Sequence, residues 1–123
     1  MATITLYRAD NAELFDGAGS CWSESAADAK AYTDNQGFGG KTVHCVEMEI
    51  DTSRVLDLTG DRAVAQLAKE LDRDTQDLMD LGGQVWHCWE NSSRIRNLLA
   101  DSYDWVKYTD DFPFNCTTWC KFN

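Results

Sequence analysis

A chain of 123 residues is the usual size of one domain, and 43% hydrophobic residues, with five Trp, four Tyr and five Phe, supply a packed core and exclude disorder as the main state. Twenty-one acids against 11 Lys and Arg leave a formal charge of −10, which repels a phosphate backbone and disfavours ordinary nucleic-acid binding. No apolar run approaches membrane-spanning length, so no membrane partner is expected.

The opening segment Thr3–Arg8 alternates Ile4 and Leu6 with polar residues, as a half-buried strand does. Gly17-Ala18-Gly19 is a turn, followed by a short strand at Cys21-Trp22. Ser23, Glu24 and Ser25 then offer N-cap chemistry to a helix over Ala26–Tyr32. Gly37-Phe38-Gly39-Gly40 reads as a loop or hairpin turn. In the strand Lys41–Ile50, Val46, Met48 and Ile50 share one face, and Cys45, Glu47 and Glu49 share the other. Val55–Leu58 is a further short strand, closed by Thr59-Gly60.

Asp61–Leu71 carries Val64, Leu67, Ala68 and Leu71 at helical spacing. Asp74 and Asp77 suit the start of a second short helix ending at Gly82-Gly83. A third helical stretch within Trp86–Ala100 aligns Cys88, Ile95 and Leu99. Two closing strands, Trp105–Tyr108 and Thr117–Phe122, flank a loop with Asp110, Asp111 and Pro113. The order β, β-α, β, β, helices, β, β predicts an α+β fold in one domain, residues 1–123.

The start Met-Ala-Thr-Ile-Thr has no basic stretch followed by an apolar one, so a cytoplasmic protein is expected. Five cysteines, Cys21, Cys45, Cys88, Cys116 and Cys120, are an odd number and read as reduced thiols of a cytosol. His87 and Cys88 with Cys116 and Cys120 offer four zinc ligands, but adjacent His-Cys suits one tetrahedral centre poorly, and no metal is expected. A nucleophile pair of Cys45 with His44 or His87 lacks any recognisable surround, and adjacent strand residues face opposite ways, which counts against His44. The acidic balance suits a basic protein partner, an imitation of nucleic acid, or a merely soluble surface.

Three pieces, in order, resemble the ADP-ribosyltransferase superfamily. They are Leu6-Tyr7-Arg8, then Gly19-Ser20-Cys21-Trp22-Ser23-Glu24-Ser25 with a helix ending Ala29-Lys30-Ala31-Tyr32-Thr33, and lastly Tyr103–Asp111 with Thr117–Phe122. Small size, acidity and the Tyr-Thr-Asp-Asp run are similar to small phage anti-CRISPR members. The resemblance implies two small β-sheets split open around a slot for NAD, flanked by helices. It implies transfer of ADP-ribose from NAD to a protein target, such as a basic nucleic-acid-binding defence complex, with no direct nucleic-acid contact.

In that scheme Arg8 contacts the ribose or phosphates, Ser23 and Ser25 support the site, and Tyr32 stacks on nicotinamide. The serine that one branch places near its tyrosine falls on Ala29 here. A carboxylate must stabilise the cationic ribose of the transition state. Asp110 follows the strand where the closing acid of the superfamily stands, with Asp111 beside it; most members use Glu there. Glu49, with Glu47, is the second choice. Each residue also has an ordinary structural use: Arg8 in a surface ion pair, the serines as helix caps, Tyr32 in the core, the glutamates on a solvated face. The rival function is a non-enzymatic acidic mimic of DNA that occupies a nucleic-acid channel through Asp57, Asp61, Asp72, Asp74, Asp77 and Asp80.

Overall fold

Alternating side chains build the framework, as their period of two requires. The computed structural model describes residues 1–36, 42–59, 63–72, 76, 92–110 and 116–123, with backbone alone at 32–36 and 110. Strand β1 runs Ala2–Asp10, β2 Cys21–Ser23, β3 Thr42–Ile50, β4 Val55–Leu58, β5 Trp105–Asp110 and β6 Cys116–Lys121. Among the described residues, helix α1 spans Ala26–Gln36, α2 Ala63–Glu70 and α3 Ser93–Ser102. The α+β class expected from the sequence is what this arrangement shows.

The strands form one six-stranded sheet in the order β3-β1-β2-β6-β5-β4. The two small sheets expected from the resemblance are therefore parts of one sheet, but the join between them is narrow. Strands β1 and β3 pair along nine positions, from Ala2↔Ile50 to Asp10↔Thr42. Strands β1 and β2 meet at one register pair only, Tyr7↔Ser23. On the far side β2 pairs fully with β6, β6 with β5, and β5 runs parallel to β4.

The two faces of the sheet bury separate clusters. On one, Leu56, Leu58, Val106, Tyr108 and Cys120 pack under Leu67 and Ala68 of α2 and Ile95 and Leu99 of α3. On the other, Leu6, Trp22, Ile50, Trp105 and Trp119 form a cluster that crosses the β1–β2 junction. Trp105 and Trp119 meet edge to face with centroids 6.2 Å apart, a favoured aromatic geometry. Helix α1 packs against β1, β2 and β3.

Local chemistry moves several ends away from the sequence expectation. Strand β1 continues past Arg8 to Asp10 because its ladder to β3 continues. Helix α1 runs four residues beyond Tyr32. Helix α3 starts at Ser93, since the Ser92 side chain caps the Ile95 amide. Strand β5 extends to Asp110, which pairs with Cys116, so Asp110 is a strand residue and not a loop residue. Gly19 has φ +89°, a conformation open to glycine, and its amide donates to the Lys121 carbonyl at 2.7 Å, locking the turn against β6. The expected loop at Gly37–Gly40, the loop through Pro113 and, apart from the helical Gln76, the short helix from Asp74 to Gly83 lie outside the described residues. Among the described residues no helix is long and apolar enough to cross a membrane.

Candidate functional site

Of the residues expected to hold a cofactor, Arg8 and Ser23 flank the narrow β1–β2 junction, while Ser25 and Tyr32 belong to the start and body of α1. Arg8 stands one residue past the junction pair. Its Nε donates to Asp10 Oδ2 at 3.2 Å and its Nη1 to the Cys21 carbonyl at 2.9 Å. The guanidinium lies 5.9 Å from the centroid of the Phe15 ring. Asp10, only 8% exposed, also accepts the backbone amides of Phe15 and Asn11, each at 2.8 Å. Those two amides, and then Arg8, hold the Asp10 carboxyl below the usual carboxylate range against the opposing effect of burial. The guanidinium fork is thereby set in one orientation. Among the described residues its Nη2 has no hydrogen-bond partner.

Ser23 is 3% exposed and pairs in register with Tyr7 on one side and Thr118 on the other. Directly opposed residues share a face, so Ser23 lies on the Tyr7 face and Arg8 on the other. The Ser23 hydroxyl makes no hydrogen bond among the described residues. Ser25 is a helix cap: its Oγ accepts the Asp28 amide at 3.1 Å and its carbonyl accepts the Ala29 amide at 3.2 Å. Tyr32 lies on α1, about 10 Å along the helix from Ser25 at 1.5 Å per residue.

The expected carboxylates do not stand with Arg8. Glu49 pairs with Thr3, whose hydroxyl donates to it at 2.9 Å. That position is on the opposite face and roughly 17 Å along β1 from Arg8, from the rise per strand residue. Asp110 sits two strands and two residues from Ser23, roughly 12 Å between Cα atoms by the same spacings. Asp111 lies outside the described residues.

Glu24, not chosen from the sequence, directly follows β2 and turns its carboxylate toward β6 and β5. Its Oε1 accepts the Trp119 indole N–H at 2.9 Å and lies 3.7 Å from Lys107 Nζ. The Lys107 ammonium is 5.4 Å from the Trp119 ring centroid and stands opposite Asp57 in the β4–β5 register. Trp119 clusters with Leu6 and Trp22 on the Arg8 face, so Glu24 reaches the same face as Arg8. At Asp57, burial opposes ionisation, but the Thr59 hydroxyl and amide, then Lys107, together hold the carboxyl below its usual range. The available signal was the place of Glu24 between two serines already singled out.

The cysteine reading needs correction. Cys21 and Cys120 are direct partners in the β2–β6 ladder and are joined by a disulfide. Two of the five expected thiols are therefore oxidised, and Cys120 is lost as a thiolate ligand for zinc. His87 and Cys88 lie outside the described residues, among which no group of three potential ligands is disposed around a metal. Cys45 is exposed and Cys116 buried, both as thiols. His44 faces away from Cys45, opposite Arg8 in register, with Nε2 at 2.7 Å from the Asn11 carbonyl. The Cys45 side chain, first through charge repulsion and then through a hydrogen bond, pushes the neighbouring Tyr7 hydroxyl above its ordinary pKa.

Comparison of the chain with family models, with curated proteins and with solved structures finds no match.

Proposed function

We propose that the protein is an NAD-dependent mono-ADP-ribosyltransferase that modifies a protein target. The observation that carries this reading is the junction. A sheet that narrows to one residue pair has Arg8, held by Asp10 and the Cys21 carbonyl, on one side, and Ser23, Ser25 and the start of α1 on the other. A preset guanidinium with an open edge suits a phosphate or ribose oxygen, which it meets with little loss of rotamer freedom. In the reaction, the bond between C1′ and nicotinamide breaks and its electron pair leaves with nicotinamide. The acceptor then bonds C1′ and loses its proton. A carboxylate near the ribose stabilises the cation between these events. The sequence brings Asp110, Asp111 and Glu49 to this role; Glu49 stands away from Arg8 on the opposite face, and Glu24 is the acid on the Arg8 face.

The charge of −10 supports a basic partner, such as a nucleic-acid-binding defence complex in the cytoplasm of a bacterial host, and acts mostly on encounter rate. The test is incubation with labelled NAD and bacterial lysate, with mass spectrometry of labelled macromolecules. Arg8→Ala is expected to abolish labelling while the fold survives; Asp110→Asn is expected to lose rate with a modest loss of NAD binding. Full labelling by folded Arg8→Ala removes Arg8 from the site. No labelling by the wild-type protein, with tight and salt-sensitive binding to a basic complex, replaces the enzyme with the DNA mimic.

A further inference from the structure

We propose that the Cys21–Cys120 disulfide is a reversible exchange site, opened by a small thiol such as glutathione attacking the Cys21 sulfur, and that opening it loosens the β1–β2 junction. This inference is independent of the ADP-ribosyltransferase reading. Its first support is the asymmetry of the bond. Cys21 is an exposed residue at the start of β2, whereas Cys120 is 5% exposed within β6, so an incoming thiolate meets Cys21 first.

The second support is the surroundings of the leaving sulfur. The buried Tyr108 hydroxyl lies 3.6 Å from Cys120 Sγ. An O–H at that position donates to a sulfur that is gaining negative charge, and a stabilised thiolate leaves faster. The step balances: a glutathione thiolate bonds Cys21 Sγ, the sulfur–sulfur bond breaks, and its electron pair leaves on Cys120. A second glutathione thiolate then attacks the mixed disulfide. It releases oxidised glutathione and the Cys21 thiolate, and both cysteine thiolates take protons from solvent.

The third support is what the bond holds. Strand β2 has three residues; one pair ties it to β1, while its ladder and the disulfide tie it to β6. The Cys21 carbonyl is also the acceptor of Arg8 Nη1. Removing the covalent tie leaves β2 held by its backbone ladder, the buried Trp22 side chain and the Arg8 bond, so motion at Cys21 is transmitted to both Arg8 and Ser23.

The experiment uses the full chain as purified. Free thiols are blocked with iodoacetamide under denaturing conditions, and N-ethylmaleimide is added after reduction; Cys21 and Cys120 are expected to take the second label, and Cys45 and Cys116 the first. The native protein is then titrated with reduced glutathione, quenched with acid and mapped by mass spectrometry. Hydrogen exchange is followed on the same samples. The expected result is a glutathione adduct on Cys21 with a free Cys120 thiol, and amide exchange at Tyr7, Arg8 and Cys21–Ser23 faster by tenfold or more after reduction. First-label modification of Cys21 and Cys120, an adduct on Cys120, resistance to excess glutathione, or unchanged exchange in the reduced protein each overturn the proposal. A Cys120→Ser variant that folds is expected to be captured at Cys21 by oxidised glutathione, and a lack of capture there counts against attack at that sulfur.

Discussion

Replacing Asp10 by Asn tests how the loop after β1 is held and how Arg8 is aimed. The two Asp10 oxygens accept three donors: the Asn11 amide, the Phe15 amide and Arg8 Nε. Asparagine keeps one oxygen and turns an NH₂ towards donors at the other position, so one to two bonds to a charged acceptor are lost. At roughly 1.5–3 kcal/mol for such a bond, the expected cost is about 1.5–6 kcal/mol. A chain of 123 residues has an unfolding entropy of about 0.26 kcal/mol/K, so the midpoint should fall by about 6–23 °C.

Thermal unfolding followed by circular dichroism from pH 7 down to pH 3 supplies a second readout. The folded pKa of Asp10 is depressed, so its stabilisation is fully present above the unfolded value of about 3.9 and is lost as pH falls through the folded value. The gap between wild type and Asp10→Asn should therefore be full at pH 7 and narrow below about pH 4. Asp104, depressed mainly by its bond to Arg54, weakens both proteins in acid and leaves the difference to Asp10. A midpoint unchanged at pH 7, or a gap that stays constant to pH 3, refutes the reasoning.

Two further substitutions separate core, cap and site. Leu67→Ala empties a fully buried position beneath α2 and should cost about 3–5 kcal/mol in urea unfolding, with a negligible loss marking a core that does not depend on this helix. Ser25→Ala removes the cap on the Asp28 amide and should cost about 1 kcal/mol. Unchanged NAD affinity in that variant, measured by calorimetry, would show that Ser25 serves the helix and not the ligand.

The elements most legible from the chain are those whose evidence is local. Strand β3 was visible because Val46, Met48 and Ile50 alternate with Cys45, Glu47 and Glu49. Helix α2 was visible because Val64, Leu67 and Ala68 follow the helical period, and Leu67 and Ala68 are indeed buried. The ends were less legible. Asp110 belongs to β5 because Cys116 of β6 pairs with it, a fact no alternation pattern in Trp105–Tyr108 contains.

The sequence by itself determined the α+β class, the periodic cores and the Ser25 cap of α1, because propensity, period and capping act over a few residues. Tertiary structure alone decided which strands became neighbours. It joined Cys21 to Cys120 across a separation of 99 residues, set Ser23 beside Thr118, and brought Glu24 to Lys107 and Trp119. It also turned Ser23 and Arg8 to opposite faces through the single pair Tyr7↔Ser23. Such pairings depend on the register of strands distant in the chain, where a shift of one residue exchanges the faces of every side chain.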